Sequence, residues 1–250
     1  MNSLPLLVLM GFGVGVGLGF TGVGAGALLT PLLVLIAGVH PVTAVGTSLV
    51  FSMITKTAGS LQHLRQKTAD YRTVRWMATG SVPAALAALI LVRTVVPKGM
   101  LLDVFTQRAI TAALVLVAII LTLRFLNRLP VRRTPAPPAA LIALGVLVGA
   151  MVALTSVGSG SVAVAFLGLL TPMAVASLVG TDMTHAALLS FVTAPFYMLA
   201  GTVNYELALG LAIGSVPGVV LGSRLTKMVP EPVTRGAVLV VVWAVALRLV

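Results

Sequence analysis

Apolar residues run in long blocks from Leu4 to Val250, broken only by short polar or charged clusters. Blocks without strict two-residue alternation predict helices, and a full membrane span needs about 20 such residues. The predicted pieces are residues 4–20, 25–37, 41–64, 74–92 and 105–126, then 139–154, 161–171, 174–199, 207–224 and 234–250. The pieces flanking Gly22-Val23-Gly24-Ala25-Gly26 and Val157-Gly158-Ser159-Gly160 are short for a span. Each interior Gly costs a helix about 0.5–1 kcal/mol relative to Ala, and Pro31 removes a further hydrogen bond. Within lipid, such a break persists only where protein or a water-lined cavity satisfies the released backbone groups. Each broken region therefore forms either a hairpin of two short helices or one interrupted span.

The second half of the chain repeats the first. Val23-Gly24-Ala25-Gly26 matches Val157-Gly158-Ser159-Gly160, Gly46-Thr47-Ser48 matches Gly180-Thr181-Asp182, and Asp70-Tyr71 matches Asn204-Tyr205. Gly80-Ser81-Val82-Pro83 matches Gly214-Ser215-Val216-Pro217, and Gly11 and Gly15 match Gly145 and Gly149, all at one ungapped offset of 134 positions. The expected organisation is a first repeat over 1–131, a linker over 132–138 and a second repeat over 139–250, because self-similarity at a fixed period marks a duplicated structural unit. An odd number of crossings per copy inverts the second repeat; an even number leaves it parallel.

Charge placement discriminates between these, since cytoplasmic loops are enriched in Lys and Arg. The inverted arrangement puts Arg65, Lys67, Arg72, Arg75, Arg124, Arg128, Arg132, Arg133, Arg224, Lys227 and Arg235 inside, leaving Arg93, Lys98, Arg108 and Arg248 outside. The parallel arrangement splits the charges more evenly. The expected fold class is thus an all-α polytopic membrane protein of two inverted repeats with about five helical segments each, whose Gly-broken segments meet near the membrane centre.

Composition agrees: 59% of residues are hydrophobic, 8% are charged and the mean hydropathy is +1.14, against roughly 25% charged residues in soluble domains. The formal net charge of +11 reads as topology signalling, because the basic residues lack the aromatic interleaving of a nucleic-acid groove. The absence of Cys excludes disulfides, thiolate metal sites and cysteine nucleophiles. No basic residue precedes the apolar run at Leu4, so a cleaved signal peptide is not expected. The expected location is the inner (plasma) membrane, crossed several times.

Short Gly-interrupted segments in matching positions of two halves point to a transporter binding site. Helix N-termini at such breaks present N–H groups and a positive dipole end to an anion. Thr21, Gly22, Gly24 and Gly26 in the first break and Thr155, Ser156, Gly158, Ser159 and Gly160 in the second are the candidates, with Ser161 a further hydroxyl. Gly11, Gly13, Gly15 and Gly17 are expected instead to permit close helix packing. Gly17, Gly19 and Gly22 also fit G-x-G-x-x-G, but without the strand and downstream acid that a dinucleotide site requires.

Lys56 and Asp182 are the obligate charges well inside predicted spans, and such residues are functional candidates by default. In the inverted arrangement they lie at similar depth, able to pair or to share a polar cavity, and Lys56 is a substrate-binding candidate that helps hold the anion or pairs with Asp182. His185 follows Asp182 by one helical turn and titrates near neutral pH in water, so the two are candidates for proton coupling. His63 reads as interfacial, and Tyr71, Trp76 and Tyr205 as aromatic-belt residues at span ends.

The segments G-V-G-A-G-A-L-L-T-P-L-L, P-V-T-A-V-G-T-S-L, V-G-S-G and G-T-D-M-T-H, in this order and duplicated, resemble the TauE/SafE family of sulfite and organosulfonate exporters. The resemblance implies an inner-membrane secondary transporter of small sulfur-containing anions, and it adds Thr47, Ser48 and Thr181 of the G-T-S/D element to the substrate-binding candidates. Ala25 stands where the family often has another Gly. Among competing classes, an intramembrane hydrolase using Ser159 and His185 leaves the duplicated break unexplained. A cation or metal transporter would want several carboxylates or imidazoles in the spans. No enzyme activity, cofactor, metal or nucleotide drive is expected. The expected partners are a small anion and the lipid bilayer, with no nucleic acid; a homo-oligomer is compatible with the sequence.

Overall fold

The computed structural model describes residues 4–21, 25–97, 99–126, 134, 136–225, 243 and 247, with the side chains of 20, 21, 25, 124, 125, 175 and 223–225 left undescribed. Gly22 and Gly24, most of the 132–138 linker and most of the 234–250 segment lie outside the described residues. The described elements are all helical: α1 (Leu4–Thr21), α2 (Ala25–Leu35), α3 (Pro41–Arg65), α4 (Tyr71–Val95), α5 (Met100–Phe125), α6 (Pro138–Thr155), α7 (Ser161–Leu170), α8 (Val175–Leu199) and α9 (Tyr205–Leu225). Among the described residues, α4, α6, Met100–Leu123 of α5 and Tyr205–Gly222 of α9 are long and apolar enough to cross a membrane. Their outward faces carry large apolar side chains such as Ile90, Leu91, Leu209 and Ile213. Such surfaces suit a lipid solvent and would be unfavourable in water.

The helix starts follow local sequence. Pro41 and Pro138 open α3 and α6 within the first turn, where a missing N–H costs nothing. Asp70 caps α4, accepting from the Arg72 amide at 3.1 Å and the Thr73 hydroxyl at 2.7 Å. Asp103, in the first turn of α5, reaches across to accept from the Val42 amide at the start of α3. Pro31, Pro83, Pro195 and Pro217 sit inside α2, α4, α8 and α9, as packed membrane helices tolerate.

Two helix pairs pack backbone to backbone through small residues. Along α1 and α9, Gly11 abuts Leu211, Gly15 abuts Ser215 and Gly214 abuts Val8, so the two helices run in the same direction. Along α4 and α6, Gly145 abuts Met77, Gly149 abuts Ser81 and Gly80 abuts Ile142. The second set is the first with 134 added or subtracted and the halves exchanged. Each of these glycines lacks the Cβ that would overlap the facing carbonyl, which is how small residues let membrane helices approach. A Cβ at Gly13 or Gly17 would meet nothing within 4 Å among the described residues, so the close approach that needs a missing Cβ is seen at Gly11 and Gly15.

The corresponding helices α3 and α8 run antiparallel. Gly46 lies against Tyr197 and Thr202, Gly59 against Met183, and Gly180 against His63 and Thr68. The loops at His40 and Asn204 therefore share one end of the bundle, and the loop at Asp70 lies at the other. Because α1 runs with α9 and α2 leads back to His40, α1 and α2 form a hairpin entering from the His40 end. By the same argument α6 and α7 form a hairpin entering from the Asp70 end. At 1.5 Å per residue, α2 and α7 are about 16 and 15 Å long, half of a hydrocarbon core of about 30 Å. Gly26, in the first turn of α2, presses against the Ser156 carbonyl and hydroxyl at the end of α6. Of the last predicted segment, Trp243 donates its indole N–H to Thr122 on α5 at 3.0 Å.

Candidate functional site

The second helix break is built from left-handed backbone. Ser156 ends α6 with φ 60°, and Gly158 and Gly160 follow with φ 130° and 85°, conformations that glycine adopts without a Cβ penalty. Thr155 steadies the turn by accepting from the Val157 amide at 3.0 Å while donating to the Met151 carbonyl at 2.7 Å. The tip then presents Ser159 and Gly160 to α3 and α8. Lys56 on α3, 3% exposed, donates from Nζ to Ser159 Oγ. Asp182 on α8, 2% exposed, accepts from the Gly160 amide at 2.9 Å.

Adjacent residues of one turn thus receive the two buried charges, one from each repeat. The two charges are connected through this turn, and among the described residues no ion pair within 4 Å joins Lys56 to Asp182. The antiparallel run of α3 and α8 puts both about 10–14 Å from the Asp70 end at 1.5 Å per residue. At the start of α7 three amides are already engaged. That of Gly160 donates to Asp182, and those of Val162 and Ala163 donate to the Gly158 carbonyl. The protein's own carboxylate therefore occupies the helix N-terminus that the sequence offered to an external anion.

Four buried hydroxyls of the broken segments and of α3 lack protein partners. Ser48, Ser156, Ser161 and Thr30 are buried with no hydrogen bond from their side-chain oxygens. Ser48 lies two turns before Lys56 on α3, Ser161 follows Gly160, and Thr30 follows Gly26 by one turn on α2. Buried polar atoms are almost always paired, so a cluster of exceptions calls for a ligand or water.

His185, fully buried, faces Ser81 on α4 with Nε2 2.8 Å from the hydroxyl, and its Nδ1 has no partner. Ser81 was not among the sequence candidates, although its recurrence as Ser215 in the G-S-V-P element was a usable signal. Thr47 and Thr181 are placed elsewhere. The Thr47 hydroxyl accepts from the Asn204 amide at 3.0 Å, and the Thr181 hydroxyl accepts from the Asp70 amide at 2.9 Å. Gly46 and Gly180, immediately before them, let the facing loop approach, so the G-T pair clasps a loop of the other half. His63 packs at the Asp70 end with Nδ1 2.8 Å from the Thr68 hydroxyl. In the first break Gly26 is brought to the second; the Thr21 side chain, Gly22 and Gly24 are outside the described set.

Residues 7–249 match the family described as Sulfite exporter TauE/SafE. The chain belongs to the TauE/SafE family. It is 40% identical over 234 residues to the "Probable membrane transporter protein YjnA" of Bacillus subtilis (strain 168), covering 90% of this chain and 92% of that protein. No solved structure matches. The family resemblance read from the duplicated glycine clusters is therefore correct over nearly the whole chain, and this TauE/SafE protein is a multi-pass membrane transporter.

Proposed function

We propose that this protein is a secondary transporter that exports small anionic sulfur compounds, such as sulfite, sulfonates or related oxoanions, across the inner membrane. The observation that carries this reading is Lys56: a buried ammonium with a hydroxyl partner and, among the described residues, no carboxylate within 4 Å, Asp182 acting on it only from farther away. A charge there is costly unless paired, and an anion completes it. Ser159, together with the unpartnered hydroxyls of Ser156 and Ser161 beside it in the same stretch of chain, supplies donors for the remaining oxygens. A cationic substrate would sit against Lys56 and be repelled. The family's description as sulfite exporters supports the sulfur-containing class.

Proton coupling is part of the proposal and rests on Asp182. An ionised Asp182 holds the Gly160 amide; a protonated one holds it less strongly. The same turn carries Ser159, so a proton on Asp182 and an anion at Lys56 act on one hinge. His185, one turn away, provides a second titratable group. The two halves act as inverted repeats, exposing the Lys56 centre alternately to each side.

The test is thermal stabilisation of the purified protein by sulfite, sulfonates, thiosulfate and inorganic cations. Anions should raise the melting temperature of the native protein and leave Lys56→Met unaffected; stabilisation by cations alone would overturn the substrate reading. For the drive, the dependence of proteoliposome flux on an imposed pH gradient should vanish in Asp182→Asn while anion binding partly survives. Full gradient-driven flux in that variant would return Asp182 to a structural role.

A further inference from the structure

A cavity of about 530 Å³ opens at the His40 end, between the starts of α3 and α5 and the ends of α4, α6 and α8. Among the described residues its ionisable lining is His40, Arg93 and Asp103. Asp103 is engaged: one carboxylate oxygen accepts from the Val42 amide and the other lies 3.6 Å from His40 Nδ1. It thereby caps the positive end of α3, which offsets its charge. Arg93 is different. It is exposed near the end of α4 and makes no ion pair or hydrogen bond with any described residue.

The cavity also touches the machinery of the second break. Tyr197 and Leu154 line it, and the Tyr197 hydroxyl donates to the Ala153 carbonyl at 2.7 Å, just before α6 gives way to the turn at Ser156. The Tyr197 ring lies against Gly46, so one side chain bridges α8, α3 and α6 between the cavity and the Lys56 turn. We propose that this cavity is an anion-selecting vestibule, in which Arg93 concentrates small oxoanions above a floor closed by Tyr197. The inference rests on the transport reading above and deepens it: the same anion meets Arg93 at the His40 end and Lys56 at the centre.

The experiment uses the absence of Cys from the chain. Thr43 lines the cavity wall, and Thr43→Cys introduces a single thiol there. Its rates with an anionic and a cationic thiosulfonate reagent are compared in purified protein at low salt. One elementary charge at about 6 Å in a watery cavity changes the ratio of the two rates about tenfold. Adding Arg93→Gln to Thr43→Cys should lower the anionic-to-cationic ratio by about that factor. Arg93→Lys should keep it, Asp103→Asn should not lower it, and 1 M salt should shrink the Arg93 effect. An unchanged ratio in Arg93→Gln overturns the proposal. Both reagents react without being transported, so the outcome stands whatever the substrate is. Anion binding lost while the ratio behaves as expected would strike the substrate reading alone.

Discussion

At the scale of single residues, the molecule separates neighbouring side chains into different tasks. Thr47 and Thr181 hold loop amides of the opposite half, whereas one residue further on Asp182 holds the Gly160 amide and the Ser48 hydroxyl has no protein partner. Successive helix positions are about 100° apart, so the two roles need only one step along the chain. Thr181→Ala leaves the Asp70 amide without its acceptor and should lower stability by about 1–2 kcal/mol with anion affinity unchanged. Thr47→Ala should do the same at Asn204. Ser159→Ala should instead weaken anion binding at least about tenfold, the equivalent of one hydrogen bond to a charged group. Denaturation curves and anion titrations on the three variants separate the roles; a loss of affinity in Thr181→Ala with stability intact would restore that residue to the binding site. The sequence marked the G-T-S/D element as special because it recurs. It could not say which of the adjacent side chains faces a loop, because that depends on how α3 and α8 are rotated against their neighbours. Lys56 and Asp182 were legible for a simpler reason: few charges survive inside apolar segments, so those that do stand out.

Elements show the same contrast in their glycines. In α1 the residues Gly11, Gly13, Gly15 and Gly17 present two equivalent i, i+4 pairs, and helical periodicity alone does not say which pair faces α9. The repeat contained the answer: Gly11 and Gly15 recur as Gly145 and Gly149, but positions matching Gly13 and Gly17 are Leu147 and Met151. Among the described residues, a Cβ would overlap a partner backbone at the recurring pair and not at Gly13 or Gly17. Gly13→Ala should therefore be neutral or stabilising by up to about 1 kcal/mol, from helix propensity alone. Gly149→Ala puts a methyl against the Ser81 carbonyl and should cost about 1–3 kcal/mol as the α4/α6 pair is forced apart. Thermal unfolding in one detergent compares the two; equal effects would refute the packing argument. The hairpin form of the breaks was not legible, because the lengths of α2 and α7 fit a hairpin and an interrupted span equally well. It follows from the direction of α1 along α9 and of α6 along α4, which are long-range contacts that no local pattern encodes.

For the whole molecule, the offset of 134 residues is also an operation on space. It carries the α1/α9 contacts onto the α4/α6 contacts, the Thr47–Asn204 clasp onto the Thr181–Asp70 clasp, and one end of the α3/α8 pair onto the other. At 1.5 Å per residue the 25 residues of α3 separate those ends by about 37 Å, enough to cross a hydrocarbon core of about 30 Å. Arg72 and Glu206 are counterparts at this offset, each exposed one residue into its helix, and the antiparallel run of α3 and α8 puts them at opposite ends. The excess of Lys and Arg near residues 65–75 predicts that the Arg72 end faces the cytoplasm. Single cysteines at these positions, treated in intact cells with a membrane-impermeant thiol reagent, provide the test. Glu206→Cys should be labelled, and Arg72→Cys should stay protected until the membrane is opened. The reverse pattern would leave the inverted architecture standing and turn its orientation over. Labelling of both in intact cells would mean that the two ends share one side, which the antiparallel pairing of α3 and α8 across a bilayer does not allow.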